Sequence, residues 1–390
     1  MSGLRVGVIG AGLRSSLALA LPAPSRVVAV ADPSPRGRAH GVELFGAQVT
    51  VDADHRQLLE RELDAVMVFS PDHLHARHTV DSLEAGRPVF VEKPLATTLA
   101  DCDRVLETAR QTGSGLYVGH NLRHAPVVQE MRRLILDGEI GAVKAVWCRH
   151  FVGHGGDFYF TDWHADRRNT TSLLLQKGAH DLDVIHWLAG GYTRRVTALG
   201  DGMVYRHLTD RSERSEARMT DWFDPAHRWP PATLTGLNPV IDVEDVSMLT
   251  ARLDNGVLAS YAQCHFTPDY WRNYTVIGDA GRLENFGDLD GTVVKVWNAR
   301  RSGYRDDADR VVQIPADDGA HGGADPALVA EFVQFVATGG PTQTSPVAAR
   351  EAVAAGLAAT TSLRADGRPV DVDPLPDELR DWFDAGQTRR

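Results

Sequence analysis

The chain has 390 residues, 43% of them hydrophobic and 24% charged, with a formal net charge of −11. These values describe an ordinary globular protein long enough for two domains. The acidic balance argues against nucleic acid or an anionic membrane surface as the main partner. No apolar run is long enough to span a bilayer. The three separated cysteines, Cys102, Cys148 and Cys264, make neither a disulfide framework nor a CxxC site, and no metal site is expected. The N-terminus leads into a strand with no signal peptide ahead of it, so a cytoplasmic location is expected.

Arg5–Ile9 reads as a short strand, followed by Gly10-Ala11-Gly12-Leu13-Arg14-Ser15, a GxGxxG pattern with Ser in the third place. Gly10 permits the tight turn, and Gly12 lets a pyrophosphate approach the backbone at a helix N-terminus. An apolar helix over Leu17–Leu21 and a second strand, Val27–Val30, lead to Asp32, where an acid takes the adenosine ribose hydroxyls. A turn residue before Pro33 is the alternative for Asp32. The acid favours NAD over NADP, with Arg36 and Arg38 close enough in sequence to keep NADP as the second choice.

A third strand (Val49–Val51), a helix (Asp54–Glu62) and a fully apolar strand (Ala65–Phe69) follow, ending in Ser70-Pro71-Asp72-His73-Leu74-His75. His75 is either a residue that approaches the cofactor or a helix-start histidine. Strand Val89–Val91 delivers Glu92-Lys93-Pro94. Ligands of open α/β sheets bind at the carboxyl ends of strands, so Lys93 lies where cofactor and substrate meet. Pro94 restricts the backbone of Lys93 to extended geometry. After helix Leu99–Gln111, strand Leu116–Gly119 runs into His120-Asn121-Leu122-Arg123. Alternating strands and helices over residues 1–123 predict a Rossmann-type doubly wound parallel sheet.

The second domain, residues 124–390, is expected to be α+β with a large, mostly antiparallel open sheet. Its strands are Val143–Phe151, Val196–Leu199, Val246–Leu253, Val257–His265, Arg272–Gly278 and Gly291–Trp297. Asp254-Asn255-Gly256 is a hairpin signal. Residues 205–240 form a polar, Pro-rich excursion. Helices Pro326–Thr338 and Val347–Leu363 close the chain and are expected near the first domain. One helix, Leu173–Leu188, interrupts the strands and carries Gln176, Lys177, His180 and Asp183 or Val184 on one face. The functional reading of that face is proton transfer by His180; the other is a core helix with a satisfied histidine. His186 sits off the face and reads as structural.

Gly10-x-Gly12 with Asp32, Ser70-Pro71-Asp72-His73-Leu74-His75, Glu92-Lys93-Pro94, Gly119-His120-Asn121-x-Arg123 and His180-Asp181-Leu182-Asp183 occur in this order. Together they resemble the Gfo/Idh/MocA family, and the resemblance covers nearly the whole chain. It implies NAD(P)-dependent oxidation or reduction of a sugar, cyclitol or derivative, and a homodimer or homotetramer assembled through the open sheet. The cofactor contacts it implies come from Gly10, Gly12, Leu13, Arg14 and Asp32, from Ser70, Pro71 and His75, and from Glu92, Lys93, Asn121 and Trp163.

Lys93 resembles the family lysine at the reacting hydroxyl, and His180 the acid/base. Lys177 is a candidate third catalytic group, and Arg123, His164, Arg168 and Gln176 are candidate substrate ligands beside Lys93, Lys177 and His180. Three positions depart from the pattern: Gln176 replaces an Asp, His164 follows Trp163 where an Arg is usual, and Asp72 replaces an Asn. Losing the carboxylate at 176, with Lys177 close by in sequence, is expected to lower the pKa of His180. Two other functions fit the same residues: a glycosidase that oxidises its substrate transiently and retains its cofactor, and a non-catalytic dinucleotide-binding regulator.

Overall fold

Continuously apolar strands build the first sheet, as central parallel strands buried on both faces require. The computed structural model describes residues 3–153, 155–213, 229–288, 291–315 and 323–387. Two compact units divide the chain: residues 1–121, 325–353 and 375–390, and residues 122–324 and 354–374.

The first unit holds six parallel strands, β1 (Arg5–Ile9), β2 (Arg26–Ala31), β3 (Thr50–Asp52), β4 (Ala65–Val68), β5 (Val89–Glu92) and β6 (Leu116–Gly119), in the order β3-β2-β1-β4-β5-β6. The order reverses between β1 and β4, the crevice in which ligands of such sheets bind. Its core gathers Val6, Val8, Val30, Met67, Phe90 and Tyr117 with Leu328, Phe332 and Phe335 from the 325–353 segment. The Tyr117 hydroxyl donates to Glu331 Oε2 at 2.6 Å.

One expectation in this unit is corrected. The segment after the glycines is a 3₁₀ helix, Leu13–Ala20. The Ser15 and Ser16 hydroxyls donate to the carbonyls of Gly12 and Leu13, three residues back. Short hydroxyl side chains compete with the α-helical pattern in this way.

The second unit holds nine strands. They are β7 (Val143–Phe151), β8 (Thr193–Asp201), β9 (Val246–Leu253), β10 (Leu258–Cys264), β11 (Trp271–Gly278), β12 (Arg282–Phe286), β13 (Val293–Trp297), β14 (Arg310–Gln313) and β15 (Val370–Asp371). They run in the order β14-β13-β12-β11-β7-β10-β9-β8-β15, with β7–β10 parallel and the remaining pairs antiparallel. The Asp-Asn-Gly turn joins β9 to β10; Gly256 has φ of +85°, which favours glycine. Burial alternates along β7 and β9. The buried face packs on helix Gly178–Ala189, while Trp147, Leu199, Met248 and Leu258 stand about half exposed. The expected single helix over Leu173–Leu188 is two, Leu173–Gln176 and Gly178–Ala189, meeting at Lys177. Ser172 caps the first by accepting from Leu175 N–H. Residues 214–228 of the Pro-rich excursion lie outside the described residues. Among the described residues no helix is long and apolar enough to cross a membrane.

Candidate functional site

In the first unit the glycine loop, the end of β2, the loop after β4 and the turn after β5 are linked by polar side chains. Gly10 has φ of +89°, and a Cβ there would stand 2.6–2.8 Å from backbone atoms of Phe69 and Ser70. The loop thus passes against the end of β4 as closely as a backbone can, and only glycine permits it. At Gly12 a Cβ would meet nothing within 4 Å, so the backbone has open space in front of it. Ser15, fully buried, fills the third position of the motif. Leu13 is half exposed.

Asp32 Oδ2 accepts the Ala11 N–H at 2.9 Å, and Oδ1 accepts both N–H and O–H of Ser34. A carboxylate has about four lone-pair sites, so Oδ2 keeps capacity for a ribose hydroxyl. Arg38 donates to the carbonyls of Asp32 and Pro33. The Asn121 amide donates to Asp325 Oδ1 at 2.8 Å, while its own Oδ1 is buried and has no hydrogen-bond partner among the described residues. Open space at Gly12, spare acceptor capacity on Asp32 and this unsatisfied amide oxygen are features that a dinucleotide would use.

Arg14 Nε donates to Glu92 Oε1 at 2.7 Å, and Arg14 Nη1 to Asp325 Oδ2 at 2.9 Å. Glu92, 5% exposed, turns back so that Oε2 accepts the Lys93 N–H at 2.7 Å. Glu92 and Arg14, expected at the cofactor, are therefore first of all the brace of the lysine turn. His75, read either as approaching the cofactor or as a helix-start histidine, opens helix His75–Glu84 and is buried, with Nδ1 2.6 Å from the Pro94 carbonyl and Nε2 2.8 Å from the Ser70 carbonyl. It is committed to the protein interior. The Ser70 hydroxyl lies 2.9 Å from His78 Nδ1, and Pro71 precedes the short turn Asp72–Leu74.

In the second unit His180 lies in the first turn of helix Gly178–Ala189, next to Asp181. Asp181 is fully buried beneath β7, β10 and β11, and five side chains converge on it. Tyr274 Oη donates at 2.5 Å, Tyr261 Oη at 2.9 Å and His150 Nδ1 at 3.0 Å; Arg272 Nε is ion-paired at 2.9 Å and Cys148 Sγ lies at 3.8 Å. Burial pushes this carboxyl up, but Arg272 and then His150 outweigh it and hold the pKa well below the usual carboxylate range. Two residues on, Asp183 takes both ends of the Arg123 guanidinium, at 2.7 and 2.8 Å. Arg123, expected as a substrate ligand, is thus consumed by a buried bidentate pair.

Gln176 is buried at the end of the preceding helix. The Lys177 ammonium stands 5.8 Å from the Tyr159 ring centroid. Trp163 and His164 stack at 3.8 Å, with His164 buried between Trp163, Phe158 and Tyr159. Arg168 is mostly exposed and paired with Asp166. His186 is buried with Nε2 2.8 Å from Thr193 Oγ1, the structural place expected of it. Asp325, Asp181 as an anchor, Arg272 and His150 were missed by sequence reasoning. Asp325 lies 311 residues from Arg14, and no local spacing announces such a pair.

A glycine loop pressed against β4, an acid closing β2 and a sheet that reverses at β1/β4 define a dinucleotide-binding oxidoreductase fold. Residues 4–120 match the family described as oxidoreductase family, NAD-binding Rossmann fold, and residues 128–284 match the C-terminal domain model of the same family. The chain belongs to the Gfo/Idh/MocA family.

Among its relatives, a Bacillus subtilis (strain 168) protein named as an oxidoreductase, YteT, is 25% identical over 318 residues, covering 72% of this chain and 74% of that protein. Inositol 2-dehydrogenase 1 of Saccharopolyspora erythraea is 34% identical over 226 residues, 56% of this chain and 61% of the relative. The match thus spans about three-fifths of that dehydrogenase. The solved structure of levoglucosan dehydrogenase in complex with NADH and levoglucosan shares the fold, with a TM-score of 0.77 at 21% identity over 96% of this chain and all of that one.

Proposed function

We propose that this protein is an NAD-dependent dehydrogenase of a small carbohydrate, a sugar, cyclitol or derivative. The observation that carries the reading is the brace on Lys93: Glu92 holds its N–H, and Arg14 ties Glu92 to the dinucleotide loop. A lysine at the carboxyl end of an interior strand, on the same network as the glycine loop, supports a role in chemistry beside a bound dinucleotide. The inositol dehydrogenase relatives and the levoglucosan dehydrogenase fold support a polyhydroxylated substrate.

When bound, the nicotinamide accepts or returns a hydride. Lys93 donates to the reacting oxygen and stabilises the negative charge that develops there. His180 takes the hydroxyl proton or returns it. With Gln176 in place of a carboxylate, Lys177 is the cation adjoining this helix turn, and it tunes His180 or binds a substrate hydroxyl. Trp163, stacked on His164, offers a flat apolar surface to the cofactor. The half-exposed face of the second sheet serves homo-oligomerisation. A cytoplasmic location fits three cysteines that are all free.

The test is a panel of sugars, inositols and anhydrosugars incubated with the full-length protein and NAD, followed by NADH absorbance. Substrate-dependent NADH formation is expected. No NADH from any member, together with no NAD binding in a titration, overturns the reading.

A further inference from the structure

His75 occupies the first position of helix His75–Glu84 and is 1% exposed. Its ring lies between two carbonyl oxygens that belong to different loops. Ser70 O, 2.8 Å from Nε2, is in the loop that ends β4; Pro94 O, 2.6 Å from Nδ1, is in the turn that carries Lys93. A carbonyl only accepts, so each contact calls for an N–H. A neutral imidazole has one N–H and an imidazolium has two.

Burial lowers the pKa of this ring below the ordinary histidine value. The Pro94 and Ser70 carbonyls and the Glu92 carboxylate favour the charged form, and Lys93 opposes it. His78, the neighbouring imidazole, is lowered to about 3 by burial and by its histidine and arginine neighbours, so it brings no charge near neutral pH. The neutral ring donates to one carbonyl only; with the proton on Nδ1, at the shorter contact, it holds Pro94 O and packs against the β4 loop, and the charged ring donates to both.

The turn is therefore held on both sides of Lys93. Upstream, Glu92 accepts the Lys93 N–H; downstream, His75 fixes the Pro94 carbonyl. We propose that His75 is a positioning residue for Lys93, a cross-link between the β4 loop and the lysine turn that sets where the ammonium is delivered. The inference rests on the reading of Lys93 as the group at the reacting oxygen.

The chain has four lysines, Lys93, Lys144, Lys177 and Lys295, so ¹³Cε-lysine NMR of the full-length protein resolves each, with Lys→Arg variants for assignment. In His75→Gln the Lys93 resonance is expected to move or broaden while the other three stay. NAD affinity should hold within about twofold, and kcat on an active sugar should fall roughly 10- to 100-fold, the scale of a displaced reacting group. An unmoved Lys93 signal overturns the proposal. So does a change in all four signals together, which marks general destabilisation. Should His75→Gln fail to fold, His75→Gly titrated with imidazole replaces it. Return of the wild-type Lys93 signal on saturation supports the proposal, and a wild-type signal before imidazole is added overturns it. Normal turnover in Lys93→Ala would remove the catalytic reading and leave the NMR outcome standing, so the two failures are distinguishable.

Discussion

Arg14 donates to Glu92 across 78 residues of chain, so the loop built to receive a dinucleotide and the turn that presents Lys93 share one ion pair. Glu92 is nearly buried and Asp325 with it, whereas the Arg14 side chain keeps 35% of its exposure. Arg14→Met takes the guanidinium away from two interior carboxylates. A loss of about 2–3 kcal/mol in urea denaturation is expected, toward the lower end for a broken buried pair because of that exposure. The double variant Arg14→Met/Glu92→Gln should recover part of it. Additive losses would show that Glu92 does not depend on Arg14.

Lys93→Ala and His180→Ala are each expected to lower kcat by roughly 10²–10⁴, the range of general acid–base groups. NAD affinity should change little in His180→Ala. Turnover at the wild-type rate in both variants would remove the assigned chemistry.

Asp32→Ala removes a carboxylate that still has an oxygen lone pair to give a ribose hydroxyl. NAD binding should weaken about 10- to 100-fold, the value of a hydrogen bond to a charged group, and NADP binding should improve. Asp32→Asn, which can still accept the Ala11 N–H, separates loop support from cofactor choice. Tighter NADP than NAD binding by the wild type in a calorimetric titration would contradict the assignment.

His150, His186 and His265 are buried, and burial lowers their pKa values to about 4, 4 and 3. In the unfolded chain each returns to about 6.5. Between those values the unfolded state binds more protons, so stability falls as pH drops below about 6.5. Each histidine contributes up to about 1.4 kcal/mol per pH unit. Differential scanning calorimetry from pH 8 to pH 5 should show Tm falling below about pH 6.5. A flat Tm over that range would mean the folded protein protonates these imidazoles as readily as the unfolded chain does.

Trp147, Leu199, Met248 and Leu258 line the face of the second sheet that carries no helix Gly178–Ala189. Met248 pairs in register with Leu199 on β8. If a second copy of the chain covers this face, Trp147→Lys with Met248→Lys should shift the mass measured by light scattering from oligomer to monomer at micromolar concentration. A monomeric wild type would count against the assembly.

Local pattern carried much of this. The strand runs read between turns match β7 and β9 to the residue, and Asp-Asn-Gly placed the hairpin between β9 and β10, because both signals depend on near neighbours. Glu92-Lys93-Pro94 was read as the centre of the site from its place at a strand end together with the motifs around it, since the tripeptide by itself fits a solvated lysine. Arg123 and His75 show where such reading stops. Both are polar residues beside a recognised motif; Arg123 was assigned outward to a ligand, and His75 was left between the cofactor and a helix start. Their partners, Asp183 60 residues away and the Pro94 carbonyl 19 away, exist only once the chain is folded. Serines after the glycines changed the helix type by bonding three residues back, which apolar periodicity does not register.

The first unit is assembled from both ends of the sequence, and that has a consequence for synthesis. Edge strand β6 is finished by Gln387, whose amide accepts from Leu116 N–H and donates to Leu116 O. The apolar side of Phe90 and Tyr117 is covered by Phe332. A ribosome delivers the six parallel strands first and these covers last. At about 5–20 residues per second, translating residues 122–324 takes on the order of 10–40 s. Throughout that interval the nascent sheet has an open edge and a bare core surface, the condition under which strands pair with the wrong chain. The dinucleotide-binding unit, whose six strands precede the second unit in the sequence, therefore closes only after residues 122–324 have been made.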